Sequence, residues 1–183
     1  MNLPIAISMG DPAGIGGEVA LKALRRELER DEARYQLHGS ERWIRGLNKA
    51  MSIGLDLDAL VRSQRIAFIE TEEPDRTDPH RSAKLALAWL ESAGRACVEK
   101  RAAAIVTAPL NKESVLRSGK RFVGQTEFLS ELAGEPRTIM MLLGPDDRGR
   151  WLRVALATTH VPLKKVADVL SPEAVELAIE RSA

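Results

Sequence analysis

The stretch that most constrains this chain is a glycine-rich turn near its start, Ser8-Met9-Gly10-Asp11-Pro12-Ala13-Gly14-Ile15-Gly16-Gly17. An apolar run, Leu3 to Ile7, leads into it. An amphipathic pattern leads out, with Ile15, Val19, Ala23, Leu24 and Leu28 on one expected face. That order predicts strand, tight loop, helix. Glycine lets the backbone take positive φ and lets another group come close. Free N–H groups at the following helix start favour an anion, and Asp11 places a carboxylate at the same mouth. Spacing excludes two familiar phosphate loops. The third glycine of a dinucleotide fingerprint that begins at Gly14 falls on Val19, and a Walker A loop from Gly10 needs Gly-Lys where Ile15-Gly16 stand. A ligand-facing turn and a turn that needs glycine only for helix–strand packing both remain open.

The rest of the chain repeats the alternation. Tyr35–Gly39 reads as a strand, and residues 40–51 as a helix with Ser40 as N-cap followed by Trp43, Ile44, Leu47 and Met51. Residues 52–64 carry no clear period. Arg65–Glu70 reads as a strand, and Thr71–Pro79, polar with two prolines, as a loop. Ser82–Lys100 is a long helix pattern with Leu85, Ala86, Trp89, Leu90, Ala93, Ala96 and Cys97 at i, i+3, i+4 spacing; Cys97 reads as a small core residue. Ala102–Val106 is wholly apolar, as expected of a strand buried on both faces. It runs into Thr107-Ala108-Pro109-Leu110-Asn111-Lys112, which opens a helix. A helix start at Gln125 and Thr126 follows. Two strands, Thr138–Leu143 and Leu152–Thr158, are joined by a hairpin turn at Asp146–Arg150. The second leads to Thr159-His160-Val161-Pro162, and two short helices finish, the last capped by Ser171 with Pro172 first. The pattern predicts an α/β fold with a mostly parallel sheet flanked by helices. Ligands of such sheets gather at the carboxyl ends of strands, where Asp11, Asn111 with Lys112, and His160 all fall.

Composition narrows the partners. A net charge of +1 suggests neither nucleic acid nor an anionic membrane surface as a partner. No apolar run is long enough to span a bilayer. The chain enters a strand without a basic region and apolar core before it, so no signal peptide is expected, and a single cysteine cannot form an internal disulfide. A cytoplasmic location is the expectation. The last helix pattern stops at Ala183 without a C-cap glycine, as if cut within an element.

Four motifs in order resemble the 4-hydroxythreonine-4-phosphate dehydrogenase family: Met-Gly-Asp-Pro-Ala-Gly-Ile-Gly at 9–16, Thr-Ala-Pro-Leu-Asn-Lys at 107–112, Gly-Gln-Thr-Glu-Phe-Leu at 124–129 and Ala-Thr-Thr-His-Val-Pro-Leu at 157–163. The resemblance spans the chain but only about the first half of the family's length. It implies an incomplete, two-lobed fold like that of isocitrate and isopropylmalate dehydrogenases, working as a homodimer when full length. It implies oxidation of 4-phosphohydroxy-L-threonine by NAD or NADP in pyridoxal phosphate biosynthesis, aided by a divalent metal (zinc, magnesium or cobalt). The 3-keto acid then loses its carboxyl group to give 3-amino-2-oxopropyl phosphate.

Carried over residue by residue, His160 matches a metal-binding histidine and Thr126 a substrate-binding threonine. Gln125 stands where the family has histidine. It can hydrogen-bond but cannot titrate near neutral pH, so a paralogue acting on another sugar-acid phosphate or a cis-dihydrodiol is also open. Asn111 is a further candidate for substrate binding, and Lys112 and Asp11 are catalytic candidates. Each has a plainer reading: Lys112 as a solvated helix residue, Asp11 as a turn-holder beside Pro12, His160 as a structural histidine. The family's other metal histidines lie beyond residue 183. The chain alone is therefore expected to be inactive, and a non-catalytic remnant or a module that binds phosphorylated ligands is the rival reading.

Overall fold

The opening apolar run forms β1 (Ile5–Ser8), and the glycine turn delivers the chain into α1 (Gly16–Leu28). Residues 3–70, 72, 74, 78–135 and 138–182 are described in this computed structural model. They fall into two compact units, Met1–Gly134 and Glu135–Ala183.

In the first unit β2 (Tyr35–His38), β3 (Ile66–Ile69) and β4 (Ala104–Thr107) join β1 in one parallel sheet of order β3-β2-β1-β4. Ile5 and Ile7 are in register with Tyr35 and Leu37 on one side and with Ala104 and Val106 on the other. One face of the sheet carries Ile7, Tyr35, Leu37 and Ile66, packed with Leu21 and Leu24 of α1 and with Trp43 and Ile44 of α2 (Glu41–Ala50). On the other face Ala6 packs against Ala93 and Ala96 of α4 (Pro79–Val98). Trp89 of α4 is fully buried, and its ring meets Trp43 with centroids 5.2 Å apart; such a tilted pair adds about 1 kcal/mol beyond the area it buries.

Caps explain where the helices begin. The Ser40 hydroxyl accepts from the Trp43 N–H at 3.2 Å, as the sequence predicts. Asp78 accepts from the His80 and Arg81 N–H groups at 2.9 and 3.3 Å, and Pro79 follows at the first helical turn, so α4 starts three residues earlier than its apolar spacing suggests. The segment without a clear period holds α3 (Leu57–Arg62), which Asp56 caps through the Ala59 N–H at 2.9 Å. Most of the expected loop over 71–79 lies outside the described residues.

Two expectations are corrected. The buried face of α1 is Gly16, Gly17, Ala20, Leu21 and Leu24, whereas Ile15 and Val19 are 64% and 44% exposed. The reason is close packing by small residues: a Cβ on Gly17 would meet the Trp43 ring and Leu47, so α2 seats against glycine rather than against a large side chain. Nor is β4 buried on both faces. It is the edge strand, Ile105 alone packs into the α4 side, and Val106 is 50% exposed.

The second unit is built on the expected hairpin. β5 (Met140–Pro145) pairs antiparallel with β6 (Trp151–Leu156). Asp146 shapes the turn by accepting from the Arg150 and Arg148 N–H groups at 2.8 and 2.9 Å. A 3-10 turn at Leu163–Lys165, α7 (Val166–Val169) and α8 (Pro172–Ser182) follow, with Ser171 accepting from the Ala174 N–H at 3.2 Å.

Candidate functional site

At the carboxyl end of the parallel sheet three segments are tied together by backbone chemistry. The Ala108 N–H donates to the Ser8 carbonyl at 3.0 Å, and the Asp11 N–H donates to the Pro109 carbonyl at 3.0 Å. The glycines make this approach possible. Gly10 has φ +72°, and a Cβ there would strike the Pro109 backbone carbonyl oxygen. A Cβ on Gly16 would sit 2.7 Å from the same carbonyl and 3.0 Å from that of Met9. The turn is therefore shaped to hold the loop after β4 against it.

Each candidate side chain in this unit has a defined place. Asp11 is buried, and its Oδ1 accepts from the Ala13 N–H at 2.9 Å while its carbonyl accepts from Gly14 at 3.0 Å. Its carboxylate thus holds the turn. Asn111 caps α5 (Lys112–Arg117), its Oδ1 accepting from the Ser114 N–H at 3.0 Å. Lys112 is the first residue of that helix and is exposed. Gln125 opens α6 (Gln125–Ala133), and its Nε2 donates to the Ala108 carbonyl at 3.3 Å, so the third motif is tied to the second. Thr126 beside it is exposed. Sequence reasoning missed the Ala108 and Pro109 carbonyls, which organise the mouth. The one available signal was an Ala-Pro pair directly after an apolar strand and opposite a glycine turn.

His38, which ends β2, is fully buried. Its Nδ1 lies 2.9 Å from the Ser92 hydroxyl, and its Nε2 is buried without a partner among the described residues. Burial, with a smaller push from Arg101, lowers its pKa to about 4, so the ring is neutral near pH 7. The Cys97 thiol is half-buried beside the Ala93–Ala96 cluster, and burial raises its pKa.

His160 belongs to the second unit, four residues past β6. It is exposed and has φ +58°, a left-handed conformation uncommon for a residue with a Cβ. Among the described residues no three of His, Cys, Asp and Glu are gathered where they could hold one ion. His160 offers a single imidazole, which fits a site shared with residues from elsewhere and not a complete one. No helix among the described residues is long and apolar enough to cross a membrane.

The comparisons agree with the motifs. The family model for pyridoxal phosphate biosynthetic protein PdxA matches residues 12–183. A 4-hydroxythreonine-4-phosphate dehydrogenase from Cupriavidus pinatubonensis is 35% identical over 92% of this chain and 52% of its own length. Another from Burkholderia vietnamiensis is 36% identical with the same coverage of 92% and 52%. The chain thus spans about half the length of the curated relatives it matches. The crystal structure of a 4-hydroxythreonine-4-phosphate dehydrogenase from Burkholderia phymatum superposes with a TM-score of 0.83 at 27% identity, over 99% of this chain and 57% of that one. The fold is α/β, related to isocitrate dehydrogenase-like proteins. The family match starts within the glycine turn and runs to residue 183, and the chain belongs to the PdxA family of pyridoxal phosphate biosynthetic proteins.

Proposed function

We propose that this chain is the N-terminal portion of a 4-hydroxythreonine-4-phosphate dehydrogenase-type enzyme. The reaction is the oxidation of 4-phosphohydroxy-L-threonine by NAD or NADP to the 3-keto acid, which decarboxylates to 3-amino-2-oxopropyl phosphate. The observation that carries this reading is the locked mouth, in which the 9–16 turn, the 107–112 loop and the start of α6 are joined through the Pro109 and Ala108 carbonyls.

The chemistry asks little more of this half than binding and orientation. A phosphate held away from the reacting carbon supplies binding energy that fixes the alcohol in place. Lys112, exposed at the first turn of α5, is the cation for that phosphate. Thr126 and the remaining capacity of the Gln125 amide hydrogen-bond the substrate's polar groups, and the Asn111 amide nitrogen, left over by its capping bond, can do the same. Asp11 acts through the turn it holds. A divalent ion, when bound, polarises the alcohol oxygen; His160 contributes one ligand, and the others come from outside these 183 residues. The assembled protein is a cytoplasmic homodimer.

The test complements the 183-residue chain with the separately produced remainder of the Cupriavidus relative. Assembly is read by size-exclusion chromatography, and NADH or NADPH formation by absorbance, with zinc, magnesium or cobalt present. Turnover of 4-phosphohydroxy-L-threonine by the assembled protein, and none by the chain alone, is expected. An assembled protein that is silent while the intact relative turns over under the same conditions refutes the assignment. Gln125 favours a second reading, a paralogue with another substrate. In that case Gln125→His leaves the assembled protein's activity on the 4-phosphate substrate unchanged instead of raising it.

A further inference from the structure

The mouth holds two side-chain amides, and the groups they touch fix which way round each one stands. An amide has one acceptor oxygen and one donor nitrogen, and a neighbour that can only donate or only accept decides between them. The Ala108 carbonyl can only accept, so the arm of Gln125 that lies 3.3 Å from it is Nε2. The Ser114 N–H can only donate, so the arm of Asn111 that lies 3.0 Å from it is Oδ1. Each amide is therefore tied through one arm and open through the other, and the open arms have opposite polarity. Gln125 is half-buried, and its Oε1 accepts no hydrogen bond among the described residues. Asn111 is exposed, and its Nδ2 donates to no described residue.

The surroundings hold this polarity in place. Ala108 is buried, and its own N–H is anchored on the Ser8 carbonyl at 3.0 Å. The group that orients Gln125 is thus held by the sheet. Turning the amide over would set Oε1 against a carbonyl oxygen, two acceptors with no proton between them. Next to Asn111 in the chain stands the exposed Lys112, a second donor. Next to Gln125 stands the exposed Thr126, whose hydroxyl can donate or accept. The 107–112 side of the mouth therefore offers donors, while the fixed polar atom at the start of α6 is an acceptor. An imidazole at position 125 would not be restricted in this way, because both of its nitrogens donate once it is charged.

We propose that Gln125 and Asn111 are a specificity-determining pair that reads two different groups of one ligand. The Asn111 amide nitrogen, with Lys112, donates to an anionic group, a phosphate monoester. The Gln125 amide oxygen accepts from a hydroxyl or an ammonium and disfavours a carboxylate in that place. This rests on the dehydrogenase reading given above and narrows it: the substrate turns a hydroxyl or an ammonium, not its carboxylate, toward the start of α6.

Both amides lie within the first unit, so the test uses the 183-residue chain by itself and needs no turnover. Backbone NMR titrations compare glycerol 3-phosphate, phosphoethanolamine and phosphoglycolate, which join a phosphate to a hydroxyl, an ammonium or a carboxylate. The first two separate the two kinds of donor. The parent should bind at least one of them roughly fivefold or more tightly than phosphoglycolate, with shifts at Ala108 and Thr126. Gln125→Met, which keeps the length of the side chain without its polarity, should remove that preference. Asn111→Asp still accepts from the Ser114 N–H but turns its open arm into an acceptor, and should weaken all three esters by roughly tenfold. Equal or tighter binding of phosphoglycolate by the parent, a preference that survives Gln125→Met, Asn111→Asp binding like the parent, or no shifts with any ester would each overturn the proposal. A chain with the expected preferences whose assembled form leaves 4-phosphohydroxy-L-threonine untouched keeps the amide pair and removes only the catalytic assignment.

Discussion

Acid should destabilise this chain through His38. The ring is fully buried between β2 and α4, with Nδ1 2.9 Å from the Ser92 hydroxyl and Nε2 without a partner among the described residues. Burial first, and the charge of Arg101 second, lower its pKa from 6.5 to about 4. The folded state thus binds this proton less readily than the unfolded state. The stability that neutral His38 contributes is fully present above about pH 6.5 and is lost progressively as pH falls toward about 4. At 1.36 kcal/mol per pKa unit, that depression corresponds to roughly 3 kcal/mol. That is a large share of the roughly 5–15 kcal/mol typical of a native domain. The assay is urea unfolding at a series of pH values across that window, for the parent and for His38→Asn, which keeps a nitrogen for Ser92 but cannot charge. Other titrating groups are common to both proteins, so the difference in slope isolates His38. The parent should lose about 3 kcal/mol more than the variant over the window. Parallel slopes, or an NMR titration of the imidazole with a midpoint near 6.5, would refute the reasoning.

Three further outcomes follow from the same geometry. Burial, together with the hydrogen bond to Asp31 at 2.8 Å and the Asp31 charge, raises the pKa of Tyr35 to about 12. Because Tyr35 is the only tyrosine, tyrosinate absorbance in an alkaline titration should show one midpoint near 12 in the folded protein, with stability falling as pH rises from 10 toward 12. Gly16→Ala forces a Cβ to 2.7 Å from the Pro109 carbonyl and should cost roughly 1–3 kcal/mol in chemical unfolding, whereas Gly46→Ala, where nothing stands within 4 Å, should not destabilise. Asn111→Ala removes the cap on α5 and should lower stability by about 1 kcal/mol, with Asn111→Asp restoring most of it.

Much of the fold was legible because its signals are local. Ser40 announces α2, and Ser171 with Pro172 announces α8, since a cap is a side chain acting within its own turn. The alternation that predicts a parallel sheet also survives intact. The candidate site was legible only in part. Asp11 and Asn111 were visible as residues, but the carbonyls of Ala108 and Pro109 that join the three motifs belong to the backbone and have no letter of their own. The strand pattern over 35–39 does not reveal how deeply His38 is buried, because that burial is set by α4, more than forty residues away.

The two misread surfaces carry a different lesson. Large apolar residues at Ile15 and Val19 pointed to a buried helix face, and an unbroken apolar run pointed to a strand buried on both sides. The structure exposes both. Small residues at Gly16, Gly17 and Ala20 suffice to pack α1 on its own unit, so Ile15 and Val19 are not needed there. Val106 is not needed for the α4 contact, which Ile105 makes. Exposed apolar residues are ordinary on a folded surface. Hydrophobic periodicity reports the burial a residue is suited to, whichever polypeptide supplies it. Val19 and Val106 lie outside the packed core of their own unit, so charge substitutions at either should leave the urea midpoint of this chain near that of the parent.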